Sequence, residues 1–233
     1  MNDDYKLTRN QFVDIILDLP HHIHLKGDYI VLKPSVTEEQ YWALANEDTN
    51  FELIDGVLVI HSPAWTQHEE IFRQLLTILS FYLEETNLGK VYGSRLAMRL
   101  SEKWDPEPDL MIVFPSKYDN VTETHLEGPA DIVIEILSPA TRELDLEKKI
   151  PRFLDAGVME VWVIDPDNQI IDLISKDGTL EWTDPNSSEY LQSKCLPGLP
   201  LRIKWIWQRK EYPSNVIIRE IIQLLEKEEH END

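Results

Sequence analysis

The stretch Asp131 to Lys149, "DIVIEILSPATRELDLEKK", sets one carboxylate, Glu135, inside an apolar run and two lysines beyond a turn. Side chains alternate along an extended chain, so Asp131, Val133, Glu135 and Leu137 share a face. An ionised carboxylate among apolar neighbours is costly unless a cation or hydrogen-bond donors meet it. A second carboxylate, Asp109 in "EPDLMIV", opens another strand directly after Pro108. Proline is tolerated at a strand's first position, whereas aspartate is disfavoured there. At the ends of adjacent strands the two carboxylates would form half of an oxygen site for Mg²⁺, which completes its shell with water and phosphate. Asp145 and Lys149 stand four apart, with Asp145 placed to cap a helix and Lys149 one turn in. A lysine beside two carboxylates and a metal stabilises charge developing on a phosphoryl group, or orients the attacking water. Each feature also has a plainer reading: Glu135 paired with an arginine, Asp109 as a turn residue, and Asp145 with Lys149 as a surface ion pair.

The elements that must hold these groups follow from periodicity. "TRNQFVDIILDLP" pairs Thr8 with Gln11 at capping-box spacing and places Phe12, Ile15, Ile16 and Leu19 on one helical face, ending at Pro20. Thr37 and Gln40 repeat the device before a short second helix. "FELIDGVLVIHSP" flanks Asp55-Gly56 with apolar runs, a hairpin signal. From Gln67 to Glu85, Ile71, Leu75, Ile78, Leu79 and Tyr82 recur at helical spacing. "KVYGSRLAMRL", "PDLMIVFP" and "DIVIEILSP" read as strands, the last apolar on both faces and hence central. "LDLEKKIPRFLDAGV" is a helix closed by Gly157 and interrupted by Pro151, which tends to kink it. "EVWVIDPDNQIIDLIS" gives two strands joined at Pro166 to Asn168. Short strands near "EWTD" and "YLQSKCLPGLPLRI" and an acidic C-terminal helix, "NVIIREIIQLLEKE", complete the order. Strand, helix, strand implies a crossover within a mixed sheet.

The 233 residues suffice for one domain with a sizeable core. A net charge of −21 argues against a broad basic surface for nucleic acid, so any phosphate-handling site is local. The lone Cys195 cannot form an internal disulfide, no apolar run reaches membrane-spanning length, and "MNDDYK" lacks a basic signal flank. The expected location is the cytoplasm, with no membrane partner.

Taken together, "PD" at 108 and 109, Glu135 ending a strand and a lysine beyond it resemble the PD-(D/E)XK superfamily. More closely, "FELIDGVLVIHSP", His68, "EPDLMIV", "DIVIEILSPATRELDLEKK" and "FLDAGVMEVWVIDP" are similar to the Uma family of endonucleases, over roughly Thr37 to Asp172. The resemblance implies an α/β, restriction-endonuclease-like fold: a mixed β-sheet flanked by helices, with an N-terminal helical extension and a C-terminal helix. The expected layout is a single domain, with 1–35 as extension, 36–178 as core and 179–233 as C-terminal strands and helix. It further implies Asp109 and Glu135 as ligands of Mg²⁺ or Mn²⁺, and Lys149 as the catalytic lysine with Asp145 as its partner. Leu137 stands where the superfamily's E-x-K pattern has lysine, so the lysine has moved to the following helix. Lys148 is the competing candidate, about 100° away around a helix. Glu52 and His68 match family positions and are expected to line the same cleft.

The implied activity is metal-dependent hydrolysis of phosphodiester bonds in nucleic acid, DNA first. The alternative is an inactive nuclease-like fold acting as a protein-interaction module, which the acidity favours. A homodimer suits either. "HHIH" at 21 to 24 reads as surface histidines, and Trp162, Trp205 and Trp207, at strand-like positions, read as packing rather than base-stacking groups.

Overall fold

A computed structural model describes residues 27–46, 48–93, 95–182 and 190–231. The helix expected over Thr8 to Pro20 and the histidines at 21 to 24 lie outside them. Strands β1 (Ile30–Pro34), β2 (Phe51–Ile54), β3 (Val57–His61) and β6 (Trp104–Asp105) form an antiparallel sheet in the order β1-β3-β2-β6. The described part of the N-terminal extension thus adds an edge strand. Helix α1 (Glu38–Leu44) starts with the expected capping box, in which Thr37 Oγ1 accepts from the Gln40 amide and Gln40 Oε1 from the Thr37 amide. Its Tyr41 and Leu44 pack with Phe51, Leu53 and Leu58 of the hairpin. Asp55 and Gly56 adopt φ of 52° and 73°, the pair of positive values that a tight two-residue hairpin turn requires.

The second sheet has the order β12-β11-β10-β9-β7-β4, built from β4 (Lys90–Gly93), β7 (Leu110–Val113), β9 (Ile132–Ile136), β10 (Glu160–Asp165), β11 (Ile170–Ser175) and β12 (Leu180–Trp182). Central β9 runs antiparallel to β7 and parallel to β10. The parallel pair requires a crossover, and the helical segment between them supplies it. One face of β9, with Ile132, Ile134 and Ile136, packs under helix α2 (Thr66–Thr86) and the C-terminal region; Val133 and Leu137 face Phe153 and Met98 on the other side.

Three expectations are corrected. "KVYGSRLAMRL" is two strands, because β5 (Ala97–Arg99) leaves the sheet of β4 to pair in parallel with β8 (His125–Glu127). In "YLQSKCLPGLPLRI" only one bridge forms, Tyr190 with Arg202, and Ile203–Trp207 is a short helix. Trp205 and Trp207 are therefore helical, Trp205 fully buried, while Trp162 lies buried in β10. Asp145 does not cap its helix. The helix begins at Arg142, whose amide donates to Ser138 O, so Asp145 lies inside it.

The crossover comprises α3 (Arg142–Leu144), a π-turn (Asp145–Lys149) and α4 (Ile150–Ala156), closed by Gly157 in the left-handed region (φ 112°). In the π-turn the Ile150 amide donates to Asp145 O, five residues back. Pro151 accounts for the position of this widened turn: it has no N–H to give the carbonyl four residues earlier, so the ladder is already broken there.

Candidate active site

The antiparallel register sets Leu110 opposite Ile134, which brings Asp109 to the end of β9. Asp109 Oδ2 accepts from the Ile136 amide at 2.7 Å, fixing one oxygen. Its Oδ1 lies 3.1 Å from His68 Nε2, on the first turn of α2. Burial opposes a charge on His68, but Asp109 more than compensates and raises its pKa.

Glu135 is only 3% exposed, on the face of β9 that alternation assigns it. Its Oε1 lies 2.7 Å from Lys149 Nζ, yet makes no well-angled hydrogen bond. Lys149, also 3% exposed, meets Glu52 Oε1 at 2.9 Å and Asp145 Oδ1 at 3.5 Å. Lys149 lines the cleft, whereas Lys148 is exposed and is not part of its lining. Glu52 is held from three sides: besides Lys149, its Oε1 accepts from the Glu107 amide at 2.8 Å and its Oε2 lies 2.8 Å from His61 Nε2.

One ammonium thus faces three buried carboxylates. Burial would lower the pKa of Lys149, but Glu135, Glu52 and Asp145 drive it well above the ordinary lysine value. Burial would raise Glu52, and Lys149 and His61 reverse this, holding it down at about 2. Burial dominates at Glu135, and with Asp145, Asp109 and Glu52 nearby it is pushed well up despite Lys149. Asp145 rises for the same primary reason. Glu107, buried beside Glu52, is pushed up to about 8.

These groups line one cleft, which brings together all six sequence-selected residues, Glu52, His68, Asp109, Glu135, Asp145 and Lys149. Sequence reasoning missed His61 and Glu107. The hairpin register could have found His61: Glu52 pairs with Val59, so His61, two residues on, lies diagonally across the same face. Glu107, between two prolines, gave no periodic signal.

A surplus of buried carboxylate and a Glu135 oxygen without a proper donor suit an oxygen-seeking cation. Among the described residues no three histidine, cysteine or acidic side chains form a ready metal cage. A cation held by Asp109 and Glu135 would draw its other ligands from water and substrate, the usual habit of Mg²⁺.

No curated protein matches the chain. Five chains of solved structures match it, among them a crystal structure described as "a putative nuclease belonging to DUF820" from Anabaena variabilis. That likeness has a TM-score of 0.64 at 19% identity and covers 74% of this chain and 98% of the other, which establishes the shared fold. The sequence profile of the Uma2 family, described as "Putative restriction endonuclease", matches residues 38–204. A match over most of the chain, embracing every strand but β1 and every cleft group named above, makes the protein a member of the Uma2 family.

Proposed function

We propose that this chain is a nuclease that hydrolyses phosphodiester bonds in DNA with Mg²⁺ or Mn²⁺ held by Asp109 and Glu135. The observation that carries the reading is the buried Lys149 ammonium on Glu135, at the strand end where Asp109 is fixed, in a member of the Uma2 family. When bound, the cation polarises a phosphoryl oxygen and makes a water more acidic. The chain's own groups do the rest. Lys149 is kept protonated by its carboxylate neighbours, so it cannot act as a general base near neutrality. It serves as a donor, placed to stabilise charge on a phosphate oxygen or to orient the attacking water. His68 and the Ile136 amide fix both oxygens of Asp109, so that its direction is set before substrate arrives. Glu52 holds Lys149 and is itself anchored by His61.

A second reading, a nuclease fold acting as a protein-interaction module, is favoured by the cleft's charge: among the described residues, seven carboxylates line it against one lysine and two histidines. Incubating the purified chain with single-stranded, duplex and branched DNA and Mg²⁺ or Mn²⁺ separates the two. Cleavage that is lost in Lys149→Ala and on chelation supports the nuclease. Folded, metal-loaded protein that cuts none of these substrates favours the module.

A further inference from the structure

The cleft rim carries an aromatic group that the chemistry above does not use. Trp65 is 50% exposed, the most exposed large aromatic among the described residues, and lines the cleft with His68 and Asp109. It occupies the cap position of α2 yet provides no capping hydrogen bond, where serine, threonine or aspartate would satisfy a free amide. An indole there forgoes a cap and leaves half of its surface in water, two local costs. The charge of the cleft supplies the complementary half of the case. With carboxylates in large excess, a phosphate backbone gains little from the walls, and affinity for a strand must come from contacts indifferent to charge. Stacking of a base on an aromatic face is such a contact, and only an unpaired base can offer its face.

We infer that Trp65 is a stacking platform for an unpaired nucleobase beside the scissile phosphate, which makes single-stranded DNA the preferred substrate class. The inference rests on the nuclease reading and deepens it. Duplex would present stacked bases and a rigid array of phosphates to an acidic cleft. A single strand can turn one base onto the indole and bring one phosphate to Asp109, Glu135 and Lys149.

The test is fluorescence anisotropy with a labelled oligothymidylate of about a dozen nucleotides, within the span of single-strand sites, and a duplex of the same length. Both are measured with Ca²⁺ present, the probe being checked for integrity afterwards. Wild type is expected to bind the single strand more tightly than the duplex. Trp65→Ala is expected to weaken single-strand binding by roughly 5- to 150-fold, the range for loss of a stacking aromatic, with little change for duplex, and Trp65→Phe to restore most of the loss. Trp65 is a rim residue, so melting temperatures should match wild type. If wild type binds and Trp65→Ala leaves the single-strand affinity unchanged, or weakens both probes alike, the platform is overturned while the nuclease reading stands. A change only in sedimentation would assign Trp65 to self-association and also overturn it. Wild-type protein that binds neither probe and cuts no DNA overturns the nuclease reading, and the platform falls with it.

Discussion

Lys149 Nζ sits 2.7 Å from Glu135 Oε1, so the group proposed as catalytic donor and one proposed metal ligand are in direct contact. The ammonium is the cluster's internal counter-ion. Removing it leaves Glu135, Glu52 and Asp145 buried and unpaired, and breaking a buried pair from one side costs about 3–5 kcal/mol. Lys149→Met should therefore melt earlier than wild type without metal and recover with Mn²⁺, the melting temperature rising further per addition than in wild type. Thermal melts with and without Mn²⁺ check this. An equal Mn²⁺ response in both proteins would mean that the lysine and the cation do not share Glu135.

The two carboxylates should act jointly in holding the ion. Calorimetric titration of Mn²⁺ is expected to give a heat of binding in wild type that disappears in both Asp109→Ala and Glu135→Gln, with circular dichroism confirming that the variants are folded. Loss in one variant alone would place the ion elsewhere. Chelation of the wild type should likewise abolish any cleavage, and added Mn²⁺ should restore it.

His61 carries a prediction for acid stability. Lys149 and His61 hold Glu52 at about 2 in the folded protein, against an ordinary value of 4.5. A depressed carboxylate contributes stability that is present above pH 4.5 and lost as pH falls through 2. His61→Ala removes one of the two supports, so its acid-unfolding midpoint should move to higher pH, while His61→Gln, which keeps a donor, should lie between. Coincident acid titrations of wild type and His61→Ala, followed by circular dichroism, would show that His61 does not anchor Glu52.

Asp105 acts in the opposite direction. It is 0% exposed, neither oxygen has a hydrogen-bond partner among the described residues, and burial, with Glu38 adding, pushes its pKa from 3.8 to about 7. A carboxyl raised in the folded state binds its proton more tightly there, so its contribution is fully present below pH 3.8 and is lost as pH rises through about 7. The loss is at most roughly 1.4 kcal/mol per pH unit within that window. Asp105→Asn, neutral at every pH, should flatten this part of the stability profile. A profile as steep as wild type in chemical denaturation between pH 5 and 7 would exclude Asp105 as its source.

The sequence displayed the parts of this site whose geometry is local. Glu135 lies on the predicted face of β9 because strand alternation is local, and Asp109 meets its end because "PD" marks a strand start. Glu52 is visible only by family resemblance, since its contact with Lys149 joins β2 to the helical crossover, far away in sequence, and no periodicity reports that. The strand expected at Ile203–Trp207 is a helix, and a tryptophan-rich run of five residues suits a strand or a buried helix equally. Asp145 is not the cap that its spacing suggests, because Ser138 and Thr141 start the helix earlier, in a turn around Pro139 that carries no apolar period.

Pro151 connects that local grammar to the chemistry. It marks the break in the ladder, and the π-turn just before it carries both Asp145 and Lys149 into the protein; regular α-helix would still keep the pair on one face, about 40° apart, but would wind this turn more tightly and change the angle at which Lys149 meets Glu135. Alanine at 151 would supply the missing N–H to the carbonyl of Glu147 and favour closure of the turn to regular helix. Pro151→Ala should therefore leave the melting temperature unchanged or higher while displacing Lys149 from Glu135. A misplacement of about 1 Å can cost a hundredfold in rate, so cleavage should fall by roughly that factor with substrate affinity little altered. Rate and melting temperature measured on one preparation decide the matter: a variant that keeps full activity would mean the π-turn survives without the proline and that another contact enforces it.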